Sequence, residues 1–507
     1  MTEKKNFNNE FCGSVPLHNI NLVQEYGFLM VVGLADKQII QASENIEELI
    51  GKSVQEIVNT PFSSYLQPES LKVLDDIIAR GITDRIPLSL VFNKSAARVS
   101  AIVHLKTDYF ILELEKDGNT SERFFTNVFQ DLKHSIAMIE KASNIQETCE
   151  AAIHELRKIS GFDGVLMYQF DKDWNGTVIA EYKDKRLEPY LGQTFPASDI
   201  PKQARDLYLK NPYRLIPNRE FTPVRIYPVI NPATHAFINL SDCNLRSVPA
   251  VHLEYMKNMG IKASMSIRVI RNEQLWGLIS CHNIEAVMVN FEMCSIFELL
   301  SSIISNKVTS ILNKKEFEET SHLQEQKSVI IEHIYAEDDI AKGILNKEPE
   351  NILNLFTATG AALSLDGKLE TIGIVPDDDA LENLVFWLEG KRINKVFSSD
   401  RLSGLYDDAL EYSSAGSGLL VIPIDGNKGD YLICFRPEVV ETINWGGNPN
   451  EALTFEPDGK NYHPRNSFKL WQQKVRNTST AWRASELEIA ESLRSFLFEF
   501  RTRQIYN

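Results

Sequence analysis

Pro196-Ala197-Ser198-Asp199-Ile200-Pro201-Lys202-Gln203-Ala204-Arg205 is the stretch from which the rest of the chain is best read. Two prolines bracket one carboxylate. Each proline fixes its own φ and pushes the residue before it out of the helical region. Ser198 and Asp199 are poor helix-interior residues, because their side chains compete for nearby backbone groups. Asp199 is therefore expected on a rigid, non-helical segment. From Lys202 onward, Ala204, Leu207 and Tyr208 recur at three- and four-residue spacing, which predicts a helix. A rigid carboxylate at a helix entrance is well placed to meet a cation. An ordinary loop with a helix cap accounts for these ten residues equally well.

Outward from this stretch the chain alternates sheet and helix. Residues 165–170 read as a strand, Asp173-Trp174-Asn175-Gly176 as a turn and 177–182 as the returning strand. A further strand runs through Trp276 to Cys281. Residues 121–155 read as helix, with Phe125, Val128, Phe129, Leu132 and Ile136 on one face. Nearer the N-terminus, the apolar run 28–32 predicts a buried strand, with more strands at 86–93, 99–105 and 108–114 and helical stretches at 45–57 and 69–79. A long helix is expected from near Met293 to about Ile334, with a break near Lys314 as the alternative. Strands at 419–424 and 431–435 follow. The segment 436–482 lacks clean periodicity, and such long insertions are usually functional or disordered. The last helix carries Leu487, Ala490, Leu493, Leu497 and Phe500 on one face. Apolar stripes at 296–312 and 487–500 exceed what one sheet needs to cover, and exposed stripes of this kind mark association. A homodimer is the expectation.

A length of 507 residues suggests about three domains. The net charge of −16 argues against nucleic acid or an anionic membrane as partner. No run of apolar residues is long enough for a transmembrane helix, and Met1 to Glu10 has no signal-peptide core. Six cysteines without a Cys-x-x-Cys pair fit a reducing cytoplasm and offer no zinc spacing.

Further motifs follow the opening stretch in order: Leu245-Arg246, His252 through Gly260, Ser264-Met265-Ser266, and Leu275-Trp276-Gly277-Leu278-Ile279-Ser280-Cys281-His282. Together with Pro196 to Arg205 they resemble the chromophore-binding GAF domain of phytochromes. Cys12, Pro16-Leu17-His18 and Gly27 resemble the opening of that family, with a departure at Glu25-Tyr26, where the family usually has Pro-His. Trp445-Gly446-Gly447-Asn448-Pro449, Pro464-Arg465-Asn466-Ser467-Phe468 and Trp471 resemble the phytochrome tongue. The resemblance covers nearly the whole chain. It implies an α+β protein with a PAS domain at 1–120, a GAF domain at 121–315 and a PHY domain at 316–507. Each would be a mostly antiparallel sheet with flanking helices, joined by the long helix, with the tongue at about 436–482.

The resemblance to bacterial phytochromes also implies a red/far-red photoreceptor with a covalent linear tetrapyrrole. Cys12 is matched to the anchor, and a thiol on an exposed tail suits addition to a vinyl group. Cys243 is the next candidate. The anchor position of plant and cyanobacterial relatives is Val251 here, which forms no thioether and points to biliverdin. The match assigns Asp199, with Ile200 beside it, to the pyrrole nitrogens, His252 to the same network and His282 to the ring D carbonyl. Arg214 and Arg246 are matched to the propionates with Tyr208 assisting, and Ser264 and Ser266 to the other propionate. Tyr168, Phe195 and Tyr255 are matched to the walls around ring D. Pro249 stands where several relatives have a pocket serine. Arg465 is expected to pair with Asp199 in darkness, and Ser467 to replace it after illumination. The output, a histidine kinase or a response regulator, would lie outside this chain, in which no catalytic domain is legible. The competing reading is a light-independent GAF sensor of a small ligand.

Overall fold

The computed structural model describes residues 20–81, 85–94, 98–115, 125–451, 453–455 and 462–506. Cys12 and its neighbouring motif lie outside the described residues. Two compact units form: one holds the residues up to Ile311 together with Asn444–Trp471, the other Leu312–Ile443 with Gln472–Asn507.

The first unit contains two sheets. The N-terminal sheet has seven strands in the order Leu22–Val23, Val224–Tyr227, Ile39–Ser43, Gly27–Gly33, Tyr109–Glu115, Arg98–Leu105, Ile86–Val91. Its neighbours are all antiparallel. Gly27–Gly33 is buried throughout because both its faces are covered. Phe28, Met30 and Val32 meet the helices on one side, while Leu29 and Val31 meet Ile226, Ile238, Leu240 and Leu245 on the other. That double cover is why an apolar run, rather than alternation, marks this strand. Strand Val224–Tyr227 arrives from far along the chain and has no local signal that it belongs here.

Two predicted helices are each broken. The stretch 45–57 is a 3-10 turn and two short helices, Glu47–Ile50 and Val54–Ile57. Gly51, at φ 79°, ends the first, and a Ser53–Glu56 capping box starts the second. Of the stretch 121–155, the described residues likewise form two helices, Phe125–Lys141 and Ile145–Ser160. Asn144 caps the second by accepting the Glu147 N–H, and Glu147 accepts the Ser143 N–H and hydroxyl in return. Apolar spacing carries across both breaks, so periodicity alone conceals them.

The second sheet runs Tyr213–Ile216, Ala263–Arg271, Gln274–Asn283, Gly164–Phe170, Gly176–Lys183, Thr194–Phe195, all antiparallel. Trp445 pairs in parallel with Thr194. Helix Ile145–Ser160 packs against the strands Gly164–Phe170 and Gly176–Lys183. Ser301 and Ser305 tie the long helix to the backbone of Arg268 and Ile270.

That long helix, Phe291–Glu337, is unbroken over 47 residues, about 70 Å at 1.5 Å per residue. It contains neither glycine nor proline, and Lys314–Glu318 and Lys315–Glu319 pairs bridge its turns where a break is the alternative.

In the second unit, a five-stranded antiparallel sheet has its two central strands, Gly418–Asp425 and Asp430–Arg436, buried on both faces. Ile330, Ile334, Ile489 and Leu493 cover one face, and Leu381, Leu384 and Leu388 the other. Among the described residues no helix is long and apolar enough to cross a membrane.

Candidate functional site

Strand alternation builds the floor of a cavity of about 270 Å³ in the first unit. Leu166 and Tyr168, Ser264 and Ser266, and Leu278, Ser280 and His282 all point into it at two-residue spacing. Cys281 takes the opposite face, where burial pushes its thiol up to about 12. The opposite wall comes from two helices. Lys202–Lys210 brings Ala204, Leu207 and Tyr208, and Ala250–Asn258 brings Val251, His252 and Tyr255. Pro249 is the N-cap of the second of these.

Asp199 closes a single 3-10 turn, Ala197–Asp199, before Pro201 caps the helix. Its carboxylate accepts from the Tyr255 hydroxyl at 3.0 Å and forms an ion pair with Arg465. The two charged side chains are only 6% and 3% exposed, so water screens the pair weakly. Burial pushes the Asp199 carboxyl up, and the Arg465 charge and the Tyr255 hydroxyl pull it back part of the way. Arg465 also donates to the Gly446 carbonyl, and Asn258 Nδ2 donates to the Arg465 carbonyl. Gly447, at φ 96°, lies so close to this loop that a side-chain carbon there would meet the Ser467 carbonyl at 2.4 Å. Ser467 itself is exposed and makes no hydrogen bond to Asp199. The Ile200 carbonyl is held by Arg205, whose guanidinium lies 4.5 Å over the Trp174 ring.

Tyr168, Phe195 and Tyr190 make one aromatic wall, with ring centroids 6.0 and 5.6 Å from Phe195. Phe468 meets Tyr255 edge-on at 4.9 Å. His252 stacks on Tyr255.

At the other end sit Arg214 and Arg246. Arg214 is spent on backbone, donating to the carbonyls of Asn244, Arg246 and Ser247. Among the described residues, the Arg246 guanidinium reaches the Leu240 carbonyl alone, at 3.5 Å. Burial and the neighbouring Arg214 push its guanidinium down to about 9. Among the described residues no carboxylate is ion-paired to either. One buried and one half-buried cation, neither with a paired acid among the described residues, form a site suited to an anion. Tyr208 and Ser266 line the cavity with them.

The geometry matches a known architecture. A PAS fold matches residues 12–117, a GAF domain residues 144–308, and the phytochrome region residues 323–505. Cyanobacterial phytochrome B of Nostoc sp. is 35% identical over 488 residues, 96% of this chain and 65% of that protein. A bacteriophytochrome of Pseudomonas aeruginosa is 32% identical over 499 residues, 96% of this chain and 66% of that protein. The chain belongs to the phytochrome family. Solved structures agree. A bacteriophytochrome of the photosynthetic bacterium R. palustris superposes with a TM-score of 0.85 at 32% identity, covering 97% of this chain and 99% of that structure. The photosensory core module of the Stigmatella aurantiaca phytochrome gives 0.83 at 32% identity, covering 97% and 98%.

This phytochrome has the PAS, GAF and PHY domains of a photosensory module, and it spans just under two thirds of the length of the Nostoc and Pseudomonas proteins. Its cavity brings together Tyr168, Phe195, Asp199, Ile200, Tyr208, Arg214, Arg246, His252, Tyr255, Ser264, Ser266 and His282. Cys12 is outside the described residues. Cys243, the second anchor candidate, is fully buried beside Glu113 and does not line the cavity, so it is unsuited to attachment. Ser280 and Tyr190 line the cavity as well, beyond the residues expected from sequence. Ser280 was legible, lying two residues before His282 on one strand. Tyr190 lies between strands and carries no periodic signal.

Desolvation at the cavity wall, with the Arg214 charge beside His252 and His252 beside His282, pushes both imidazoles down to about 4, although His252 is itself exposed, so both are neutral at neutral pH. In the unfolded chain they titrate near 6.5. As pH falls from about 6.5 towards 4, the unfolded chain takes up protons that the folded chain refuses, and stability drops. His282→Gln is expected to flatten this drop by about 1 kcal/mol, discounted for water in the cavity. Urea midpoints of the ligand-free chain at pH 7 and pH 5 measure it, and an unchanged difference between the two would refute it.

Proposed function

We propose that this chain is the light-sensing part of a red/far-red photoreceptor that holds biliverdin covalently through Cys12. The observation that carries the reading is a cavity lined by two arginines without an ion-paired carboxylate among the described residues, by an aromatic wall and by Asp199, which is ion-paired to Arg465. A bilin has matching parts: two propionates and an apolar terminal ring. When bound, it supplies red-light absorption and isomerisation about the double bond between rings C and D.

The residues take these roles. Arg246, oriented by its neighbour Arg214, holds one propionate with Tyr208. Ser264 and Ser266 hold the other. Asp199, with Ile200, offers its backbone to the pyrrole N–H groups, and His252 completes that polar network. Neutral His282 donates to the ring D carbonyl. Tyr168, Phe195 and Tyr255 exclude water around ring D. Arg465 latches the tongue to Asp199 in the dark state, and Ser467 takes its place after illumination. A buried ion pair exchanged for a neutral hydrogen bond makes a two-state element. Domain limits at 1–120, 121–315 and 316–507, a homodimer, a cytoplasmic location and a histidine kinase or response regulator as output belong to the same proposal.

Difference spectra of the chain with biliverdin, after red and then far-red light, test the function. A reversible pair of bands is expected, and a spectrum unaffected by light would favour a light-independent small-ligand sensor. Cys12→Ala is expected to abolish the zinc-fluorescent bilin band on a denaturing gel while leaving noncovalent absorbance. None of the described cysteines lines the cavity, so a persistent band would contradict the assignment of the anchor.

A further inference from the structure

Arg246 enters the cavity from the segment Asn244–Ser247, and that segment is held largely from the N-terminal sheet. Glu113, on strand Tyr109–Glu115, accepts the N–H of Asn244 at 2.7 Å and that of Leu245 at 3.4 Å. Gln24 donates to the carbonyls of Leu215, Asn244 and Arg246. The Asn244 carbonyl in turn accepts from Arg214. A single peptide residue therefore separates the Glu113 carboxylate from the Arg214 guanidinium, and the next residue but one is Arg246.

Glu113 is fully buried. Burial alone would push its carboxyl up. A hydrogen bond from His104, at 3.1 Å, and the charge of Arg85 outweigh burial and hold it below the usual carboxylate range. Nearby, Lys106 and Asp242 neutralise each other. Around the arginine end of the cavity, Glu113 is the acid whose charge acts on Arg214 and Arg246, while Arg85 faces both Glu113 and Glu298. The atoms of His104, Glu113 and Cys243 also lie within 4.8 Å of one another, as metal ligands would. Both Glu113 oxygens, however, already accept backbone N–H groups, which marks the carboxylate as serving the chain.

We propose that Glu113, a residue of the PAS domain, is the built-in counter-charge of the arginine end of the GAF cavity, acting through Asn244 on Arg214 and Arg246. It makes the buried Arg246 and half-buried Arg214 guanidinium groups tolerable in the empty protein and cedes that role when ligand carboxylates arrive. The proposal rests on the cavity binding a bilin dicarboxylate. It makes the ligand-free fold, more than the loaded one, depend on an acid outside the ligand-binding domain.

Glu113→Gln keeps an acceptor for the Asn244 N–H and removes the charge. Thermal unfolding of the full chain, with and without biliverdin, tests it. The ligand-free variant is expected to melt several degrees below wild type. The rise produced by biliverdin is expected to be larger than in wild type by about 2–4 °C. An equal fall with and without ligand means a merely structural role and overturns the proposal. A wild-type chain that biliverdin does not stabilise at all overturns the bilin reading, and this proposal with it. The double variant Glu113→Gln/Arg246→Gln covers a single variant that fails to fold. Removing one cation with the acid should restore ligand-free stability to near that of Arg246→Gln alone. No recovery overturns the proposal.

Discussion

Asp199→Ala is expected to yield a chain that still takes up bilin and absorbs red light but forms no stable far-red state. Pro196 and Pro201 keep the local backbone, so the loss falls on the carboxylate. Arg465 is left buried with the Gly446 carbonyl as the remaining acceptor for its guanidinium, and its Nε already lacks a partner among the described residues. Removing one member of a buried ion pair costs about 3–5 kcal/mol, enough to shift the tongue from held to released. Arg465→Ala should be milder. Asp199 keeps the Tyr255 hydroxyl, and burial already favours its protonated form, so no charge need stay stranded. Asn258 and Glu254 still engage the tongue, Asn258 through the backbone of residue 465 and Glu254 through His463. Photoconversion should persist in Arg465→Ala, with faster hydrogen exchange of the tongue in darkness. Normal far-red formation and normal tongue exchange in Asp199→Ala would show that the latch is elsewhere.

Arg246→Gln is expected to lower biliverdin affinity about 10- to 100-fold, the value of one charge-assisted hydrogen bond of about 1.5–3 kcal/mol. The same change should raise the melting temperature of the ligand-free chain. Arg246 is buried beside Arg214 with no ion-paired acid among the described residues, so it destabilises the empty cavity and has its full value only against an anion. Arg214→Gln should behave differently. It would loosen the Asn244–Ser247 backbone that Arg214 clamps and lower stability with or without ligand. Titration of bilin absorbance together with ligand-free melting curves separates the two. A ligand-free Arg246→Gln chain less stable than wild type would contradict the anion-site reading.

Most individual elements were legible because side-chain periodicity is a short-range property. The apolar run at 28–32, the alternation through His282 and the glycine- and proline-free helix from 291 to 337 each carry their own signature. Caps are weaker signals than apolar spacing, so the breaks at Gly51 and Asn144 escape a reading by periodicity. The site residues were legible by resemblance, through motifs, and not through any local physical signal. An isolated arginine such as Arg246 looks like surface until the fold buries it.

The rigid turn at Asp199, the strands and the long helix follow from local sequence, since prolines, alternation and uninterrupted helix formers act within a few residues. Which partners those elements meet depends on the folded whole. Val224–Tyr227 joins the N-terminal sheet, Cys243 is sealed against Glu113, and Arg214 is consumed by three carbonyls while Arg246 is left without an ion-paired acid among the described residues. Asp199 finds Arg465, 266 positions away, in a pocket too dry to screen them. Burial sets the cost of each charge, and burial is a property of the complete fold.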